Sequence, residues 1–246
     1  MTDIMQKYLE INYPYFIKEF SQNELGILIK SELHSKFFNQ LMLTSSITSE
    51  DHVKKCRDCC GGGYSLALDL LTQNKAALPL LVKSGFKIAD QEHWFMGSVD
   101  KLYKIPTPEN IKKINYSNID DFEKLVKVFF AEKGVTDNFT NICRQALTDS
   151  QGGNLFSIYI AVKDGKVKGA AGYAYSPKKE LGHINFVQTL DDSKGYEYDL
   201  IHAIIQDSQY LKITRILLIK TGTLRKSEEL IKLGFELEGI YLSLVV

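Results

Sequence analysis

The chain has 246 residues, with 30 basic and 30 acidic side chains, 44% hydrophobic and 24% charged residues. That balance fits a soluble globular protein of one or two domains and excludes the basic stripe that nucleic-acid binding requires. No apolar run approaches the ~20 residues of a membrane span, and the opening Met-Thr-Asp-Ile-Met-Gln-Lys-Tyr-Leu-Glu lacks the apolar core of a signal peptide. A cytoplasmic protein with no nucleic-acid or membrane partner is expected.

Ser49 to Cys60 reads as a helix that carries Cys56, Cys59 and Cys60; the fourth cysteine, Cys143, is distant and solitary. A structural zinc site needs two ligand pairs, and the five histidines are scattered, so no metal site is expected. The cysteines read as packing residues of a reducing compartment. Gly61-Gly62-Gly63 follows a helix and precedes a strand, the reverse of a phosphate loop's order, and reads as a helix stop and turn. A strand near Ser65 to Thr72, a helix ending at Gly85-Phe86 and a strand through Trp94-Phe95-Met96 follow. Pro106 and Pro108 stiffen the next stretch and place a boundary between residues 1–105 and 106–246.

Beyond it, Lys112 to Tyr116 reads as a short strand. Phe122, Leu125, Val126, Phe129 and Phe130 recur at helical spacing, as do Phe139, Ile142, Cys143, Ala146 and Leu147. Phe156 to Val162 and Val167 to Tyr175 are strand-like and flank Asp164-Gly165, a strong short hairpin signal. A further strand spans His183 to Thr189, and a helix from about Tyr196 packs through Leu200, Ile201, Ile204 and Ile205. A strand from Arg215 to Lys220 and a helix capped at Gly234 lead to the final strands. The order predicts a mixed α/β layered domain.

The two halves end alike. Tyr64 to Phe86 overlays Ile213 to Phe235 without a gap, at the 149-residue offset that separates Gly85 from Gly234. Leu81-Val82-Lys83-Ser84-Gly85-Phe86 then lies over Leu230-Ile231-Lys232-Leu233-Gly234-Phe235, which predicts a duplicated strand–helix–strand unit.

The hairpin from Ile158 to Gly172, together with the two Leu-Gly-Phe-like and Ser-Gly-Phe endings, resembles the GNAT (Gcn5-related) N-acetyltransferase superfamily. The resemblance covers nearly all of residues 111–246 and, less fully, 36–99. It implies an α/β (mixed α+β) acyl-CoA N-acyltransferase fold in two tandem copies, the first truncated or divergent. It also implies acetyl-CoA as co-substrate and a small-molecule or peptide primary amine as acceptor. A monomer or homodimer is expected, because a tandem pair supplies internally an interface that single-domain relatives make by dimerising.

The resemblance also assigns residues. The acyl-CoA loop corresponds to Val187-Gln188-Thr189-Leu190-Asp191-Asp192-Ser193-Lys194-Gly195-Tyr196-Glu197. Val187, Gln188, Thr189, Lys194, Gly195 and Tyr196 are its cofactor-binding candidates, since a glycine and free N–H groups at a helix start suit a pyrophosphate. Asp192 stands where the family has Arg or Gln, and Glu197 where it has a second small residue. The corresponding stretch of the first half, Leu43 to Glu50, has no glycine. Leucines, Leu81 and Leu230, occupy the positions where the family often carries a tyrosine general acid. His183 is the candidate general base, sharing a strand face with Asn185, and Glu180 and Asp191 are the alternatives. Tyr173 and Tyr175 share a face that either lines an acceptor cleft or packs in the core. Three readings follow: an N-acetyltransferase, a catalytically inactive GNAT-like scaffold for a ligand or protein, and a pair in which the first half covers the acceptor site through Trp94, Phe95 and Met96.

Overall fold

The computed structural model describes residues 3–12, 15–31, 33, 38–103, 106, 108–114, 119–120, 122–123, 136–150, 155–190, 195–221 and 227–246. The first half contributes α1 (Asp3–Asn12), β1 (Glu19–Gln22), β2 (Gly26–Lys30), β3 (Gln40–Leu43), α2 (Glu50–Gly61), β4 (Ser65–Asp69), α3 (Leu78–Lys83) and β5 (Lys87–Ser98). The second contributes β6 (Ile111–Ile114), α4 (Thr136–Ser150), β7 (Phe156–Lys163), β8 (Lys166–Tyr175), β9 (Leu181–Thr189), α5 (Tyr196–Leu211), β10 (Arg215–Thr221), α6 (Glu228–Lys232) and β11 (Glu236–Val245). The helical face predicted around Leu125 to Phe130 lies outside the described residues.

All eleven strands form one sheet in the order β1-β2-β3-β4-β11-β5-β10-β9-β8-β7-β6. The two central places are exchanged: β5 of the first half pairs with β10 of the second, and β11 of the second pairs with β4 of the first. Between them β5 and β11 run antiparallel, with Glu92 opposite Tyr241, Gln91 opposite Leu242 and His93 opposite Ile240. Glu92 and Tyr241 are also counterparts under the 149-residue offset, so the axis relating the halves passes through this pair.

The exchange is secured by burial. Leu242 and Leu244 of β11 sit in the core of the first half with Leu66, Leu81 and Phe86. Phe95 of β5 sits in that of the second with Ile216, Leu230 and Phe235. Each such side chain contributes roughly 2–3 kcal/mol on leaving water. Helices α2, α3, α5 and α6 cover this face of the sheet; α1 and α4 cover the other, packing on Trp94, Met96, Ile158 and Leu217.

Local chemistry explains the elements. Asp164 and Gly165, at φ 51° and 70°, make a two-residue turn whose paired positive φ matches strand twist, and they join β7 to β8. Gly85 and Gly234, at φ 95° and 96°, end α3 and α6 in the left-handed region. The backbone N–H of Phe86 then donates to Leu81 O at 3.1 Å, and that of Phe235 to Leu230 O at 3.0 Å. The duplicated motif has one geometry in both places. Gly62 caps α2 and Gly63 turns the chain at φ 97°, as the glycine run predicted. Cys56 and Cys60 are buried in the core, where burial pushes the Cys56 thiol up to about 12.

Candidate functional site

The site begins where two parallel strands part. β9 and β10 are paired from Leu181 and Arg215 as far as Ile184 and Leu218, and no further. Past that point Phe186 to Thr189 bond only to β8, while Ile219 to Thr221 bond only to β5. Two unpaired backbone edges therefore face each other across a slot. A bulge at Asn185 turns β9 away, since Tyr173 pairs with Ile184 but Gly172 with Phe186.

The N-terminus of α5 stands at the open end of this slot. Its first residue follows Gly195, which takes φ 72° and supplies no side-chain cap. A helix start without a side-chain cap keeps donors available to an anion. The neighbouring charges are mixed: Glu197 and Asp199 lie in the first turn. Lys220, at the tip of β10, reaches Glu197 at 2.5 Å, and both side chains are mostly buried. Glu197, which stands where a small residue was expected, is thus paired with Lys220. Val187 packs into the core beside α5, Gln188 is exposed, Thr189 is half-buried and Tyr196 is buried. Lys194 and Asp191 lie outside the described residues.

Beside the helix start lies a cavity of about 490 Å³, lined by Gly195, Tyr198, Asp199 and His202 of α5 and by Glu229 and Lys232 of α6. Burial lowers the His202 pKa, and its Nδ1 has no partner. The spacing of 195, 198, 199 and 202 marks one helix face, a signal in the sequence that identifies this wall. A larger recess of about 560 Å³ lies between α4 and the residues that precede β3 and β4, among them Gly62 and Gly63 at the end of α2.

The first half repeats the strand arrangement with a different helix start. β3 and β4 are parallel from Gln40 and Ser65 to Met42 and Ala67. Here Ser49 caps α2, its side chain accepting from the His52 N–H at 3.2 Å. A capped start has lost one of its free donors, and Glu50 and Asp51 further repel an anion. The open slot is the one in the second half.

His183 lies under α1. Asn12 Nδ2 donates to Tyr8 O at 2.7 Å, which turns Asn12 Oδ1 toward β9, where it accepts from Asn185 Nδ2 at 2.6 Å and lies 3.1 Å from His183 Nδ1. Asn185 Nδ2 is also 3.0 Å from His183 Nδ1, and His183 Nε2 has no partner. The ring is 4% exposed with Tyr8 edge-on to it, and burial pushes its pKa down to about 3. It is a neutral imidazole at physiological pH, sealed by a helix from the other half. Glu180 is placed far from the slot: it precedes β9 and pairs with Lys7 at 3.1 Å, roughly 30 Å of strand from Thr189. Tyr173 and Tyr175 belong to the core; the Ser208 hydroxyl donates to the Tyr173 hydroxyl at 2.7 Å.

Neither a protein-family model nor a curated protein matches the sequence. Solved structures do. A functionally unknown conserved protein from Staphylococcus epidermidis matches with a TM-score of 0.66 at 12% identity, over 91% of each chain. A GCN5-related N-acetyltransferase from Kribbella flavida matches with a TM-score of 0.59 at 11% identity, over 98% of this chain and 93% of that one. A tandem GNAT protein from the clavulanic acid biosynthesis pathway matches with a TM-score of 0.52 at 11% identity, over 89% and 78%. The split strands, the open helix start and these likenesses together give this chain the GNAT acyl-CoA N-acyltransferase fold.

Proposed function

We propose that the second half transfers an acetyl group from acetyl-CoA to a primary amine. One observation carries this reading: the unpaired edges of β9 and β10 converge on the uncapped, glycine-preceded start of α5. Acetyl-CoA supplies an activated thioester: the amine nitrogen attacks its carbonyl carbon, the C–N bond forms as the C–S bond breaks, and CoA leaves as the thiol while the amine gives up a proton. The backbone of Phe186 to Thr189 offers hydrogen-bonding groups to an extended arm, and the N–H groups at Gly195 to Glu197 suit its phosphates. Open space beside Gly195 supports that fit, since no described residue lies within 4 Å of where a Cβ would stand. Buried His183 is held neutral, so its use as the base requires α1 to move.

Thermal denaturation with acetyl-CoA tests the reading. Ligand at 100 times its Kd adds about 2.7 kcal/mol to stability. A shift that disappears in Gly195→Val and persists in Ser46→Val supports it; no shift at millimolar acetyl-CoA overturns it. A scaffold without turnover is the second reading, favoured by the Lys220–Glu197 pair beside the slot. It predicts binding of a ligand or partner with no acetylated product by mass spectrometry.

A further inference from the structure

Glu92 is a carboxylate that the transfer reading does not use. It lies at the centre of a row of residues directly opposite one another: Thr221 at the tip of β10, Glu92 on β5, Tyr241 on β11 and Asp69 at the end of β4. Opposed residues in antiparallel ladders project from the same face, here the face covered by α1. Glu92 is therefore one strand away from the slot, beside the tip of β10.

Its neighbours are aromatic. Trp94, two residues along β5, is buried. Tyr8 of α1 stands 5.1 Å from it between ring centroids and Tyr241 stands 4.8 Å from it. Tyr8, Glu92 and Tyr241 are each half-buried, so part of each residue reaches solvent. Trp94 Nε1 donates to Glu92 Oε2 and Gln40 Nε2 to Oε1, both at 3.3 Å. An ionised carboxylate has about four acceptor positions, and these two long bonds leave half of them. Among the described residues no lysine, arginine or histidine pairs with Glu92. Burial raises its pKa, and Asp69 adds a second negative group across Tyr241. A carboxylate set among three electron-rich rings without a cation favours an ammonium group, through both the charge and the ring faces.

We propose that Glu92, Trp94, Tyr8 and Tyr241 form a binding site for the positively charged amine of an acceptor carried on an apolar stem. This assignment rests on the transfer reading for its word "acceptor", though the ammonium site itself does not. It draws one residue set from both halves: α1 and β5 from the first, β11 from the second.

Trp94 is the only tryptophan in the chain, and its indole N–H bonds Glu92, so its emission reports the site. The full chain is titrated with 1,4-diaminobutane at constant ionic strength, with 1,4-butanediol as the uncharged isostere. The expected result is a saturable change with the diamine, none with the diol, and affinity at least tenfold weaker in Glu92→Gln at unchanged Tm. Tyr241→Leu, which keeps the carboxylate, is expected to weaken binding three- to tenfold and serves if Glu92→Gln does not fold. No saturable change, an equal response to the diol, or full affinity in both variants overturns the site. Diamine binding without an acetyl-CoA shift leaves the site standing and removes the transfer reading; acetyl-CoA binding without a diamine response does the reverse.

Discussion

The Lys220 ammonium lies 2.5 Å from a Glu197 carboxylate oxygen and ties the tip of β10 to the first turn of α5. The pair brings a cation to a helix start that otherwise carries two carboxylates, Glu197 and Asp199. Its two members have opposite consequences for an anion bound there. Glu197→Ala frees Lys220 and is expected to tighten acetyl-CoA binding about tenfold, while Lys220→Met weakens it about tenfold. Isothermal titration of both variants measures this. Equal affinities in both would show that the start of α5 is not the anion site.

Stability on acidification follows from His183. Its folded pKa, about 3, lies below the ordinary value of 6.5, so between these values the unfolded chain binds the proton and the folded chain does not. The stability is fully present above pH 6.5 and is lost as pH falls toward 3. The loss reaches about 2 kcal/mol at pH 5. Urea unfolding at pH 7 and pH 5 should show it in the wild type and not in His183→Gln.

The matched glycines should not tolerate alanine equally. Both have positive φ, which costs an L-residue roughly 1–2 kcal/mol. A Cβ at Gly85 meets only the Arg57 side chain at 3.5 Å, whereas at Gly234 it meets the backbone oxygen of Lys101 at 3.3 Å. Gly234→Ala is therefore expected to destabilise more than Gly85→Ala, by urea unfolding of the full chain.

Cutting the chain between the halves tests the exchange. A fragment of residues 106–246 keeps the GNAT-like motifs but lacks β5, the strand that pairs with both β10 and β11. It loses Phe95 from its core and, since β4 is missing too, leaves one edge of β10 and both edges of β11 unpaired, which invites aggregation. The expected outcome is an insoluble or expanded fragment by size-exclusion chromatography, restored to a compact complex by co-expression of residues 1–105.

The sequence showed most clearly what local chemistry determines. Asp164-Gly165 specified its hairpin, the period of Phe139 to Leu147 its helix, and the Gly85 and Gly234 caps their shared geometry. Two features depend on distant partners and had no local signal. One is α1, a ten-residue helix whose Asn12 meets His183 from 171 positions away. The other is the exchange itself, because β5 and β11 look alike as strands and nothing local states which neighbour each takes. For the site, Gly195 and the strand end at Val187 to Thr189 were legible. Lys220 was read only as the end of a strand, since its reach to Glu197 depends on how β10 and α5 sit together. Trp94 was noted for its apolar character, and the carboxylate beside it was missed.

The crossing of β5 and β11 also bears on how such a gene can change. Each half supplies the strand that completes the other, so a substitution in β5 alters the neighbour of the slot although it falls in the copy with the capped helix. The two copies cannot drift as independent paralogues. A copy whose helix start is capped is retained by selection on its sibling, because deleting either removes strands that complete the other.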